Sequence, residues 1–325
     1  MVKDIYFNIT YSCNSRCLFC ASDSPYIHEK SQMKFEQIQK CLQKFDITEK
    51  DRITINGGEP TVHPEIIEII RSCSETDAKV ILFTNGRKME DPQVAKQLIE
   101  AGTLKVAIPL YSHSPSRHDY LTQAEGSFSE TVRGIDNLTS LKNSGFSFEI
   151  ELKTLFCKYN LRELPRFPEW IAGRFPRLKD VLLSSMNLSR CALQHQDQLF
   201  ITFSDAQEIV NEFVGEAFNL GMNLSLCFIP LCLLDSELRE KVLQRRDPSE
   251  YQTSHYYFDP SNLQGICGFQ SNAKAGKCVT CGLCSVCDGV WDTYGKVIGY
   301  NEMTPLYDID SRKRREKKGG VQYAV

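Results

Sequence analysis

The sequence predicts an α/β chain: a partial (β/α)6 barrel of the TIM-like kind, followed by a small Cys-rich C-terminal domain. Three observations predict it. Strand-like apolar runs alternate with amphipathic helical stretches from residue 4 to about residue 220. That rhythm stops near 222–233, and the cysteines gather at two places, just after the first strand and close to the C-terminus. Six units are too few to close an eight-stranded barrel, so the sheet is expected to stay open.

The strands fall at 4–10, 52–56, 79–84, 104–111, 147–156 and 180–185, each rich in β-branched or apolar residues. Between and after them, helical periodicity marks 34–45, 64–73, 91–101, 128–144, 161–175 and 204–220. Asp91-Pro92 reads as a helix start, while Gly102 and Gly145 stand where helix-ending glycines belong. Strand and helix alternating at this spacing imply parallel strands joined by right-handed crossovers. Beyond them come a short strand at 223–228, a charged helix-like piece at 235–244, and polar sequence leading into the Cys-rich block. The expected division is therefore 1–225, 226–307 and a basic tail at 308–325, in which Arg312 to Lys318 carry six cations before Gly319-Gly320.

Composition narrows the class of function. With 42% apolar, 24% charged and 10% aromatic residues, the 325-residue chain is globular rather than disordered or fibrous. Thirty-eight basic against 41 acidic residues give a net charge of −3, which provides no overall field for nucleic acid or an anionic membrane. The basic tail is read as a solvated end rather than an RNA contact, since no aromatic platform interleaves it. No run reaches the 18 apolar residues a membrane span requires, and no signal-peptide core follows Met1, so the expected location is cytoplasmic. Fourteen cysteines in a reducing compartment point to metal or catalysis rather than to disulfides.

After the first strand, Cys13, Cys17 and Cys20 have C-x3-C-x2-C spacing. Three thiolates on one loop can hold three irons of a [4Fe–4S] cube and leave the fourth iron without a protein ligand. A zinc site, the alternative, normally takes four ligands in pairs. The stretch resembles the signature of the radical S-adenosylmethionine (radical SAM) superfamily, including the aromatic Phe19 before the third cysteine. One unit later, Gly57-Gly58-Glu59-Pro60 is similar to that family's Gly-Gly-Glu-Pro element. The resemblance implies that the open iron binds S-adenosylmethionine, whose reductive cleavage yields a 5′-deoxyadenosyl radical that abstracts hydrogen from a substrate. It implies that Gly57, Gly58, Glu59 and Pro60 seat the cofactor, with Glu59 accepting from its ammonium group.

Weaker matches follow at Thr84-Asn85-Gly86, 108–112, His118-Asp119 and 126–128. Ser127 would suit the cofactor's carboxylate or ribose, or would simply begin a helix. Glu149, Glu151 and Lys153 share one face of the fifth strand. Glu151 and Lys153 then contact cofactor or substrate if that face looks inward, or solvent if it lies at an edge. His63 and His113 sit near these loops without a clear role.

The second constellation is Cys267, Cys278, Cys281, Cys284 and Cys287. Within it, C-x2-C-x5-C is similar to the auxiliary-cluster extensions called SPASM and Twitch, although Trp291 stands where the longer pattern continues with cysteine. One fully ligated cluster needs four cysteines, so the single-cluster Twitch arrangement fits best. The expected ligands are Cys267, Cys278, Cys281 and Cys287, with Cys284 spare or substituting; Cys191, Cys227 and Cys232 leave room for a second cluster. A zinc ribbon is the alternative. Cys41, Cys73 and Cys157 read as buried small residues.

What the resemblance implies for function is a radical SAM enzyme, first of all one that matures a ribosomally made peptide by cross-link, epimerisation or thioether formation. Oxidation or rearrangement of a small molecule is the alternative, and a non-catalytic iron–sulfur scaffold a remote one. The expected partners are an electron donor of flavodoxin or ferredoxin type and the substrate. A separate leader-peptide-binding protein joins them because the first strand opens at Asp4 with no leader-recognition domain before it.

Overall fold

The computed structural model describes residues 2–27, 31–245, 253–267 and 272–307. The tail at 308–325, with its basic run, lies outside the described residues. Seven strands run parallel: β1 (Val2–Asn8), β2 (Arg52–Asn56), β3 (Lys79–Phe83), β4 (Lys105–Pro109), β5 (Glu149–Leu155), β6 (Asp180–Ser184) and β7 (Asn223–Cys227). They lie side by side in chain order. On the far side of β1 the sheet continues with β8 (Thr253–Asp259), parallel to β1, and then β9 (Asn262–Cys267), antiparallel to β8. The edges β7 and β9 do not pair, so the barrel is open as expected.

Ten helices are placed along these connections: α1 (Phe35–Leu42), α2 (Ile66–Ser74), α3 (Pro92–Glu100), α4 (Pro115–Thr122), α5 (Ser127–Asn143), α6 (Phe167–Arg174), α7 (Arg190–Gln194), α8 (Gln196–Leu199), α9 (Phe203–Asn219) and α10 (Ser236–Arg245). The start of α3 is built as its sequence implies: Asp91 accepts from the Gln93 N–H at 2.8 Å, and Pro92, which needs no hydrogen-bond partner for its nitrogen, opens the first turn.

Alternation along the strands decides where the core lies. Ile5, Phe7, Ile53, Ile55, Val80, Leu82, Val106 and Ile108 are all fully buried on the helix-covered face. Ile69 and Ile70 of α2, Leu98 of α3, Ile135 of α5 and Phe213 of α9 meet them in one continuous core. Each such side chain contributes about 1.5–3 kcal/mol when removed from water. The opposite, concave face sets ion pairs beside apolar residues such as Ile81, Phe83 and Ala107. Arg52 donates to Asp4 across β1 and β2, Lys79 pairs with Glu149 at 2.7 Å, and Lys105 with Glu151 at 2.7 Å. A closed barrel fills that space with Val, Ile and Leu; here Lys105, Glu151 and Lys153 share it with apolar side chains.

Two features depart from the sequence reading. The stretch at 253–259 is polar by hydropathy, yet its aromatic residues favour a strand. They stack on β1, with Tyr6–Tyr257 ring centres 4.7 Å apart and Phe7–Phe258 at 5.2 Å. Thus β8 and β9, which fall inside 226–307, extend the barrel sheet itself. Helix α4 was also not anticipated, because its Pro-Ser-Arg-His-Asp run has little apolar periodicity.

The remaining Cys-rich part is a two-stranded antiparallel pair, β10 (Asn272–Ala273) with β11 (Val290–Trp291), followed by α11 (Asp292–Val297). It docks beside the C-terminal ends of β6 and β7. The Trp291 indole N–H donates to the Ser185 carbonyl at 3.0 Å, and its ring lies 3.7 Å from that of Phe228. Among the described residues no helix is long and apolar enough to cross a membrane.

Candidate active site

The loop leaving β1 is held from three sides. Arg16 and Leu18 donate backbone N–H groups to Thr122 and Leu121 at the end of α4, at 2.9 and 3.0 Å. Arg87 reaches the Asn14 carbonyl and the Ser15 hydroxyl, while the Asn85 amide donates to Asn14 Oδ1 at 2.7 Å. The loop after β2 lies against it directly, with Gly58 N–H on the Thr10 carbonyl at 2.7 Å and Glu59 N–H on that of Ser12 at 2.8 Å. This contact explains the glycines. A Cβ at Gly57, whose φ is +137°, would stand 2.5 Å from the Thr10 carbonyl oxygen, and one at Gly58 would stand 2.3 Å from that of Ser12. Only glycine lets these two loops meet.

Cys13, Cys17 and Cys20 therefore sit on a rigid loop, and each thiol lies within the electrostatic reach of the other two. Phe19 turns inward, edge-on to Tyr111 at 4.7 Å, and Tyr111 stacks on His118. Burial pushes the Cys13 thiol up to about 11 and Cys17 well above its ordinary value. Sulfurs so buried become thiolates only against a strong positive charge, which iron supplies. The described loop offers three thiols, Cys13, Cys17 and Cys20, a donor set that fits three corners of a [4Fe–4S] cluster, whereas a zinc site normally takes four ligands.

Glu59 is buried and already engaged. Its Oε1 accepts from Thr61 N–H at 3.0 Å, Thr61 Oγ1 at 2.6 Å and Thr84 Oγ1 at 2.5 Å, and its Oε2 accepts from Asn85 N–H at 2.7 Å. Burial raises its carboxyl above the usual range, while the donors from Thr61, Thr84 and Asn85 pull it back. In this structure Glu59 is a strut between the β2 and β3 loops rather than a free acceptor. What the adjoining segment can offer a ligand is main chain, together with one side-chain oxygen: Asn56 Oδ1 is buried and has no hydrogen-bond partner. An orphaned acceptor beside Gly57 fits the ammonium end of a bound amino acid, so the site is compatible with S-adenosylmethionine.

The other expected contacts are distributed unevenly. Ser127 is fully buried and donates to Asp119 Oδ1 at 2.9 Å, with Thr122 Oγ1 at 2.7 Å. Asp119 also receives the Gly126 and Phe128 N–H groups, so this carboxylate of α4 ties down the start of α5, where Ser127 stands. Glu151 and Lys153 lie mid-sheet on the concave face and not at an edge: they are 4.0 Å apart, and Lys153 Nζ stands 4.6 Å over the Phe83 ring. His63 is structural. Its Nε2 meets the Met33 carbonyl at 2.8 Å and its Nδ1 accepts from Glu65 N–H at 3.1 Å, which fixes the neutral form that burial also favours. His113 packs against Phe167 and Trp170.

In the Cys-rich segment, Cys278, Cys281, Cys284 and Cys287 line one pocket, and Cys232 from the turn after β7 joins them. Cys267 does not: it is exposed at the end of β9, in register with Tyr256. Sequence reasoning passed over Asn56, Arg87 and Thr61 as site residues, and weighed Cys232 only for a second cluster. The Thr84-Asn85-Gly86 match was the signal closest to the Glu59 network.

Residues 7–150 match the model of the Radical SAM superfamily. The AdoMet-dependent heme synthase of Methanosarcina barkeri is 25% identical over 50% of this chain and 45% of its own length. The GTP 3′,8-cyclase of Haemophilus ducreyi is 30% identical over 50% and 48%, and the mycofactocin maturase MftC of Mycobacterium ulcerans 27% over 50% and 42%. The matched stretch thus spans just under half of each curated relative. Among solved structures, Streptococcus suis SuiB bound to S-adenosylmethionine superimposes with a TM-score of 0.61 over 88% of this chain and 72% of its own, at 11% identity. SuiB bound to its precursor peptide SuiA gives 0.58 over 95% and 75%. At that identity the likeness is one of fold.

Proposed function

We propose, from the premise that this chain carries a radical SAM domain at residues 7–150, that it cleaves S-adenosylmethionine reductively and uses the product to abstract hydrogen from a peptide substrate. The observation that carries the reading is the seating of the three-thiol loop against Gly57-Gly58, with Glu59 locking the second loop to β3. When bound, a [4Fe–4S] cluster with one iron open to S-adenosylmethionine supplies a 5′-deoxyadenosyl radical. Cys13, Cys17 and Cys20 would hold that cluster, and Phe19 and Tyr111 would keep water from their thiolates. Gly57, Gly58 and Pro60 present main chain to the cofactor, and Asn56 Oδ1 accepts from its ammonium group. Glu151 and Lys153 orient polar groups of whatever enters the concave face.

Two facts support a peptide. MftC is named a maturase, and SuiB, whose fold is similar to 88% of this chain, is a protein solved with a precursor peptide, SuiA. A small polar substrate is the second reading, favoured by the ion pairs of the concave face and by the GTP 3′,8-cyclase relatives. An electron donor of flavodoxin or ferredoxin type and a separate leader-binding protein complete the peptide reading. The test is anaerobic incubation of the reduced, reconstituted protein with S-adenosylmethionine and the product of any short reading frame encoded beside its gene. A mass change in that peptide together with 5′-deoxyadenosine supports maturation. 5′-Deoxyadenosine that rises only when a nucleotide or aminosugar is added overturns it in favour of the second reading.

A further inference from the structure

The Cys-rich segment offers more thiols than one cluster needs, and the structure separates them. Cys232, Cys278, Cys281 and Cys287 all pack against the hydrophobic core, whereas Cys284 lies on the same pocket without joining that packing, and Cys267 is exposed on β9. Leu231, Leu283 and Met303 form much of the remaining pocket wall, with Lys274 and Thr304 as its polar members. Such a lining suits a cluster held by thiolates and not a hydrated ion.

Backbone N–H groups also aim at these sulfurs. Leu231 and Gly289 donate to Cys287 Sγ at 3.5 and 3.4 Å, and Leu306 donates to Cys281 Sγ at 3.4 Å. Thr304 lies on the same pocket wall as Cys232, Cys278 and Cys287. N–H groups directed at sulfur stabilise thiolate and tune an iron–sulfur centre. The three segments that supply them, 230–232, 289 and 304–306, close around the C-x2-C-x5-C loop from different sides.

We infer that Cys232, Cys278, Cys281 and Cys287 ligate one auxiliary [4Fe–4S] cluster that is complete in protein ligands, with Cys284 at its rim and Cys267 outside it. The inference rests on the reading that this segment binds a cluster at all. It goes beyond that reading in two ways. The fourth ligand comes from the turn after β7, so the cluster fastens the Cys-rich segment to the end of the barrel sheet, where Phe228 and Trp291 already meet. Four thiolates also leave no iron at which a substrate can bind, which confines the cluster to electron transfer.

The experiment uses the full chain carrying Cys13→Ala, Cys17→Ala and Cys20→Ala, reconstituted anaerobically. About four irons per chain are expected to remain. Adding Cys232→Ala should lower that occupancy several-fold and change the EPR signal, whereas Cys267→Ala and Cys284→Ala should keep both. Because Cys232→Ala can fail to fold, native alkylation of the unsubstituted reconstituted protein is read by mass spectrometry alongside. Cys267 and Cys284 should label and Cys232 should be protected until a chelator strips the iron. Imidazole, an added nitrogen ligand, should leave the auxiliary EPR signal unchanged. Protection of Cys267 with free labelling of Cys232, or an imidazole-shifted signal, overturns the assignment. Loss of all iron from the triple variant while it stays folded overturns the underlying cluster reading instead.

Discussion

The two cysteine sites of this molecule are built on opposite plans. At the first, three thiols come from a single loop, and everything around them exists to hold that loop still: α4 on one side, Arg87 and Asn85 on another, Gly57-Gly58 beneath. At the second, five thiols from two stretches separated by α10, β8 and β9 surround a pocket, and the fold rather than the spacing brings them together. A local site is set by its spacing and a composite one by topology. On the proposed assignments, the first plan would leave a cluster one ligand short and the second would supply a full set.

The largest effect expected from this contrast is the loss of function without loss of all iron. Replacing Cys13, Cys17 and Cys20 by alanine should bring 5′-deoxyadenosine formation to background while roughly half of the cluster iron persists, as metal analysis and an anaerobic assay would show. If iron and activity vanish together in a folded protein, the two sites are not independent.

Next comes the loop-to-loop contact. Gly58→Ala puts a methyl group 2.3 Å from the Ser12 carbonyl oxygen, backbone against backbone, and should destabilise the fold by about 3 kcal/mol. It should also reduce iron at the first site while sparing the second, read as the selective loss of one EPR signal. Equal loss of both signals would mean that the glycine serves global stability only.

Glu59→Gln should cost about 2 kcal/mol, because the amide places a donor where the carboxylate accepts from Thr84, Thr61 and Asn85. Thermal unfolding of the metal-free protein measures this directly, and an unchanged midpoint would remove Glu59 from its role as a strut.

The smallest effect is acid sensitivity at His118. Burial lowers its value to about 4, so the unfolded chain takes up the proton first and the folded chain resists it. The stability this residue contributes is complete above about 6.5 and declines as pH falls toward 4. His118→Gln should flatten that part of the stability profile in the metal-free protein, because glutamine does not titrate; an unaltered slope would discount His118.

The same contrast explains what the sequence could and could not reveal. The apolar runs from β1 to β6, and the helix signals at Asp91-Pro92, are local, and local patterns survive in one dimension. So does C-x3-C-x2-C, since all three ligands come from one loop. Strand β8 was hidden because its Tyr, His and Ser residues score as polar, although Tyr257 and Phe258 pair with Tyr6 and Phe7 across the sheet. Asn56 and Arg87 have no motif of their own; they matter only because β2 and β3 end beside the β1 loop. Cys267 looked like a member of the second set because it is near in sequence, whereas Cys232 is near in space. Ser127 and Asp119 both matched the loop pattern, but only the fold shows that they bond to each other.

The account turns on one iron of the first cluster being open and facing the Gly57-Gly58 loop. EPR of the reduced protein, titrated with S-adenosylmethionine, tests it most directly. One signal should shift on binding and disappear in Cys17→Ala, while the other stays unmoved in both proteins. A spectrum in which neither signal responds, or in which the responding signal survives the loss of Cys17, would contradict it.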